Sequence, residues 1–293
     1  MKTFRLTTAA IAAAIAAGLL TAAPAGALES THFAEGSPEG SSVVSVRTAN
    51  DDPADGVCTG TAISPHWVVT ARHCMDHLPT PGGSVRVGEG DDQRTVAVDS
   101  WKTAPEGDIA LLHTAEDLGL EHYATVDTEV PEPDTPGTVY GWSSEGSGGS
   151  TRLPMTEATI DGPNPMALFD GKQALTVALA EGAGIHGGDS GGPVFRDGKL
   201  TGVLSAGLFV NPDDPEEIAM DTNAAASAAP LGDAAEWIND TIATDNADTA
   251  SADGADGANG DSGESSSAPY ILAIVVLLAV AGGAAVVARR RKA

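Results

Sequence analysis

From residue 43 to residue 205 the chain is a succession of short β-branched runs cut by turn residues, and this alternation limits the fold more than any other feature. Val43-Val44-Ser45-Val46, residues 58–63 and Trp67-Val68-Val69-Thr70 open the series. Further runs fall at 84–87, 94–98, 109–113, 137–141, 157–160, 173–178, 193–195 and 200–205. Thirty-five glycines and eighteen prolines supply the breaks between them. Many short strands with hardly any 3.6-residue periodicity predict an all-β barrel or sandwich. One helix is expected, from Leu231 to about Ile242, and residues 28–42, polar and rich in Gly and Ser, read as a loop.

Charge excludes one class of partner. The formal net charge of the 293 residues is -26, so a phosphate backbone would be repelled and nucleic acid is not expected as a ligand. A well-solvated surface in an external setting accounts for the acidity.

The two ends of the sequence differ from its middle. Residues 1–27 have the composition of a signal peptide: Lys2 and Arg5, an apolar Ala/Ile run, then Ala25-Gly26-Ala27 as a small-residue cleavage pattern. Residues 28–242 are expected to form the folded domain, and residues 243–267, rich in Ala, Asp, Gly and Ser, a disordered acidic linker. Residues 268–288 carry no charge and suffice to cross a hydrocarbon core of about 30 Å as a separate transmembrane helix. The tail, 289–293, begins Arg289-Arg290-Arg291-Lys292, which places it in the cytoplasm and the domain outside a cell membrane.

Gly187-Gly188-Asp189-Ser190-Gly191-Gly192-Pro193 is where chemistry is expected. Glycines let a backbone turn sharply and bring its N–H groups near a reacting atom, as an exposed serine nucleophile with an oxyanion hole requires. A plain Gly-rich turn is the alternative. A nucleophilic serine needs a base and an orienting acid. His73 ends a strand-like run and directly precedes Cys74, whose partner in an exported protein can be Cys58, 16 positions earlier. A bridge closing a loop of that size contributes about 3 kcal/mol in the chain-entropy model and would fix the backbone beside His73. A zinc site is the competing use of these cysteines, but with His77 they make no convincing ligand spacing. Asp108 precedes the apolar run Ile109-Ala110-Leu111-Leu112, at the edge of a core, where a carboxylate needs a partner. His73 can be that partner; an exposed turn aspartate is the alternative.

Three blocks, Thr70-Ala71-Arg72-His73-Cys74, Gly107-Asp108-Ile109-Ala110-Leu111-Leu112 and Gly188-Asp189-Ser190-Gly191-Gly192-Pro193, resemble the signature blocks of the trypsin/chymotrypsin-like serine peptidases, and their functional residues stand 35 and 82 positions apart. Gly141-Trp142, Gly202-Val203-Leu204-Ser205 and Glu236-Trp237-Ile238 are similar to the family as well. The resemblance implies two antiparallel six-stranded β-barrels with a C-terminal helix, and a cleft between the barrels. It implies Ser190 as nucleophile, His73 as general base and Asp108 as orienter, with the N–H groups of Gly188 and Ser190 as oxyanion hole. Ser205, Ala206 and Gly207 would pair with the substrate main chain, and Gly184, Ile185 and His186 would line the specificity pocket. Gly184 stands where tryptic members carry an aspartate, so Arg/Lys specificity is not expected. Asp189 resembles the acid that receives a freed N-terminal amine on activation, and the family's usual interval places that amine near Leu28. Protein or peptide substrates, no cofactor and no metal follow from the resemblance, and the catalytic domain is expected to be monomeric. The alternatives are a catalytically silent surface binding module on the same fold, or a quality-control protease of the cell envelope.

Overall fold

The structure, a computed structural model, describes residues 28–47, 57–75, 82–142, 152–165, 169–208 and 223–253. The segment read as a loop after residue 28 contains a two-residue strand, β1 (His32–Phe33), and one helical turn, α1 (Pro38–Ser41), capped by Ser37 Oγ accepting the Gly40 N–H. The first barrel follows as β2 (Val43–Arg47), β3 (Val57–Ser64), β4 (Trp67–Thr70), β5 (Ser84–Val87), β6 (Arg94–Thr103) and β7 (Ala110–Thr114). These strands close antiparallel in the order β2-β3-β4-β7-β6-β5.

A short strand, β8 (Thr125–Val126), leads into the second barrel: β9 (Thr135–Tyr140), β10 (Pro154–Pro165), β11 (Gln173–Leu179), β12 (Pro193–Arg196), β13 (Lys199–Leu208) and β14 (Ala225–Pro230). Its ring runs β9-β10-β11-β14-β13-β12 and back to β9, so both six-stranded barrels implied by the resemblance are present. Closure removes free sheet edges, which suits a chain of short strands. β1 pairs with β10 and not with the first barrel, although the next strand, β2, belongs to the first.

Side-chain alternation drives the assembly. Along β10, Thr156, Ala158 and Ile160 are buried while Glu157, Thr159 and Asp161 face solvent, the period of two that a strand imposes. β4 breaks the alternation: Trp67, Val68, Val69 and Thr70 are all buried, so it is covered on both sides. One apolar cluster contains Trp67, Leu111, Trp142 and Phe195, and a second, within the second barrel, contains Val139, Ile160, Val177 and Leu204.

After a single 3-10 turn at Gly232–Ala234, the terminal helix, α2, spans Ala235–Asp253, with Ile238 buried and Trp237 and Ile242 packed against the first cluster. The helix passes Ile242, where its end is expected, into the stretch assigned to the linker. Ala243, Ala247, Ala250 and Ala252 explain the extension, since alanine has the highest helix propensity. Among the described residues no helix is long and apolar enough to cross a membrane; the signal peptide, the remaining linker, the apolar run at 268–288 and the basic tail lie outside them.

The strand that follows the Gly-rich loop is anchored by an ion pair. Asp127, wholly buried, accepts Arg196 Nε at 3.0 Å, and its other oxygen accepts the Glu129 N–H at 3.2 Å. Arg196→Met strands this carboxylate and should cost about 3–5 kcal/mol in urea unfolding. Arg196→Met combined with Asp127→Leu should recover most of the loss.

Candidate active site

His73 lies on a 3-10 turn, Arg72–Cys74, that directly follows β4 and Ala71. Asp108 sits just ahead of β7, at 1% exposure. Because β4 and β7 pair, with Thr70 opposite Ala110, the two side chains are brought to the same end of the first barrel. His73 Nδ1 lies 2.7 Å from Asp108 Oδ2, and the His73 backbone N–H donates to Oδ1 at 2.9 Å. Ser205, on β13 of the other barrel, donates its hydroxyl to Oδ2. Burial pushes the Asp108 pKa up, but the bonds from the His73 ring, from Ser205 and from the His73 backbone outweigh it and hold the carboxyl below its ordinary value. An ionised carboxylate only accepts, so Nδ1 carries the ring proton and Nε2 is the basic nitrogen. The His73 side chain is 33% exposed, leaving that nitrogen within reach of a substrate.

Cys58 and Cys74 form a disulfide that joins β3 to the His73 turn. Among the described residues, Cys58, His73 and Cys74 bring three donor atoms within 4.8 Å of one another, but both sulfurs are committed to the bridge and offer no thiolate.

Ser190 comes from the second barrel, in the loop before β12. Its carbonyl accepts the Thr59 N–H at 2.8 Å and lies 3.9 Å from Cys74 Sγ, so the serine sits against the turn that carries His73. Thr59 does more. Its Oγ1 accepts the Trp142 N–H at 2.8 Å and donates to the Gly188 carbonyl at 3.0 Å. Gly191, at φ +82°, fits only without a Cβ, which would collide with Thr70 Oγ1 and the Thr59 carbonyl. Gly188 also takes a positive φ, of 103°.

A cavity of about 170 Å³ opens beside Ser190, and Ile185, His186, Gly187, Ser205, Ala206 and Gly207 are among its walls. Leu204, Asn223 and Ala226 line it as well. Gly184 is not among the lining residues: its N–H and carbonyl both pair with Glu29, at 3.0 and 2.8 Å. The structure thus brings together His73, Asp108, Ser190, Ser205 and the disulfide, and sets Gly184 apart from the cavity wall. Thr59 and Asn223 are absent from the sequence-derived set; neither belongs to a recognisable motif.

Asp189 is wholly buried and packs on Gly141, which lacks the Cβ that would strike its Oδ1. Burial raises the carboxyl to about 7, against the opposing pull of the backbone N–H groups of His186 and Leu28. His186 N–H lies 2.8 Å from Oδ2, and Oδ1 has no hydrogen-bond partner. Leu28 itself is 1% exposed.

Comparison with known proteins gives a consistent result. A sequence model described as Trypsin matches residues 35–229. An uncharacterized peptidase of Corynebacterium glutamicum (strain R) is 29% identical over 235 residues, covering 77% of each chain. A trypsin of Simulium vittatum is 31% identical over 175 residues, which span 52% of this chain and 70% of that one. Among solved structures, kallikrein-related peptidase 10 aligns with a TM-score of 0.54 at 23% identity, over 71% of this chain and 98% of that one, a likeness of fold.

The Asp189 shift carries a sign. Its folded pKa, about 7, exceeds the ordinary 3.8, so its share of stability is complete below the ordinary value and is lost as pH rises through about 7. A chain extended upstream of Leu28 by a soluble sequence should lose about 4 kcal/mol more than its Asp189→Asn variant between about pH 4 and pH 8. Urea unfolding at the two pH values checks this.

Proposed function

This chain belongs to the trypsin family of serine endopeptidases, and from that premise we propose that it is a membrane-tethered extracellular peptidase cleaving peptide bonds through Ser190, His73 and Asp108. The observation that carries the mechanism is the buried Asp108 carboxylate fixing the His73 tautomer, 2.7 Å from Nδ1. With Nδ1–H committed to Asp108, Nε2 takes the proton of Ser190 Oγ as that oxygen attacks the substrate carbonyl. The developing oxyanion is received by the N–H groups of Gly188 and Ser190. Collapse transfers the proton from His73 to the departing amine and leaves an acyl-enzyme on Ser190, which water, activated by the same imidazole, hydrolyses. Asp108 stays ionised throughout and stabilises the imidazolium.

Substrate main chain is accommodated by β13. Its Val203 still pairs with β12, whereas Ala206, Gly207 and Leu208 pair only with β14 among the described residues. The open side of Ser205, Ala206 and Gly207 adjoins the cavity beside Ser190 and can receive an extended peptide as an added strand.

Export and anchoring rest on the sequence: the N-terminal signal pattern, the uncharged run at 268–288 and the basic residues after it. Signal removal after Ala27 also supplies the activating amine. A backbone N–H at Leu28 offers one hydrogen, whereas a freed ammonium offers three and a positive charge, enough to satisfy both oxygens of Asp189, including the orphaned Oδ1. Glu29, paired with Gly184, holds the new terminus in place. No separate propeptide is needed.

Two outcomes are expected. Ser190→Ala should lower turnover by on the order of 10⁶ and abolish labelling by a fluorophosphonate probe, and unchanged activity would overturn the mechanism. Wild-type protein that folds but takes no label would instead favour the silent binding module. N-terminal sequencing of the active form should begin at Leu28, and a chain blocked by a few residues upstream should show little activity; an active form starting well downstream of Leu28 overturns the activation route.

A further inference from the structure

Two residues lining the cavity beside Ser190 each carry a buried polar atom that the chain itself leaves unsatisfied. Asn223 Nδ2 and His186 Nε2 are both buried without a hydrogen-bond partner, and both residues line the cavity. Burying a donor unpaired is costly, so native structures almost always pair such groups, and exceptions gather where a ligand completes the pairing. Their placement is firmly set. Asn223 exchanges both backbone hydrogen bonds with Ile185, at 2.8 and 3.1 Å, and its side chain packs on Gly207, where a Cβ would collide with Oδ1. The His186 backbone donates to Asp189 at 2.8 Å, so the ring is carried by a residue fixed from behind.

The rest of the described wall combines Ile185, Leu204 and Ala226 with Ser190, Ser205 and glycine backbone, and none of the described lining residues is Lys, Arg, Asp or Glu. Among the described residues the pocket gives a cationic side chain no counter-charge. It offers a long aliphatic stem an apolar surface, and it offers an amide donor and an imidazole nitrogen to an acceptor carried by that stem. We infer that this cavity selects substrates with glutamine or glutamate at P1, the side-chain carbonyl oxygen being received by Asn223 and His186. The inference rests on the peptidase reading above and names the specificity of that same site. A site built to hydrogen-bond a substrate group discriminates strongly against analogues that lack it, because the buried partners are then left unpaired.

The test is kcat/KM for the chain beginning at Leu28 on peptides that differ only at P1, with active enzyme counted by fluorophosphonate titration. Gln or Glu should exceed the near-isosteric Leu and Met by about tenfold or more, with Lys and Arg poorest. Glu above Gln assigns a charged acceptor and Gln above Glu a neutral one, and either order supports the proposal. Leu, Met, Lys or Arg at or above both overturns it without any variant being made. His186→Ala and Asn223→Ala, which keep their backbone hydrogen bonds, should each lower the ratio of Gln or Glu to Leu by about tenfold. Variants that titrate normally with the probe yet keep the wild-type ratio also overturn it. A chain that neither takes the probe nor cleaves any peptide fails at the peptidase reading, a result separate from cleavage with a different P1 preference.

Discussion

Thr59 is a residue on which the two barrels meet. It belongs to β3 of the first barrel, yet its N–H, its hydroxyl oxygen and its hydroxyl proton go to Ser190, Trp142 and Gly188, all beyond β8. Its carbonyl takes the Thr70 hydroxyl at 2.7 Å, tying this clasp to the strand that leads to His73. His73 and Ser190 are therefore both referenced to one buried threonine. A network of this kind in a low-dielectric interior is stronger than its separate bonds, and it is unforgiving of a missing member. The close approach is what forces glycine at 191, so the Gly-rich loop reflects the barrel contact as much as any need for flexibility.

The division of the site between the barrels has an electrostatic logic. Asp108 is buried but receives three hydrogen bonds, from both sides of the cleft, and remains an anion. Asp189 is buried more completely and is offered only backbone N–H groups, so burial prevails and its proton is held to about 7. Two aspartates of one site thus stand on opposite sides of their ordinary value, set by what donates to each. The first is suited to orient an imidazole. The second meets only backbone N–H groups and no cation among the described residues.

Legibility in the sequence followed the range of the interactions. The β-branched runs gave the first barrel's strands to within a few residues, since burial there follows local alternation. His73, Asp108 and Ser190 stood out because each lies in a short block whose residue types are tied to its geometry. β14 had no such signal: Ala225-Ala226-Ser227-Ala228-Ala229 has little intrinsic strand preference and is a strand because β11 and β13 flank it. β1 escaped for a similar reason, being two residues whose one strand partner among the described residues is β10. Asn223 and Thr59 depend on neighbours far along the chain, which no local pattern encodes. The helix end at Asp253 shows the reverse, where alanine propensity extends an element that composition alone assigns to a linker.

The strap formed by Glu29, His32 and Phe33 also bears on the order in which the molecule can assemble. These residues leave the ribosome among the first of the domain, but their partners, Gly184, Met155 and Pro154, are synthesised far later. Contacts between such distant positions carry a large loop-closure cost and form slowly. The first barrel, β2 to β7, contains all its own pairings and can close while its N-terminal neighbour still has nothing to hold. Residues 29–33 are therefore placed late although they are made early in the domain, and their docking reports that the second barrel has folded.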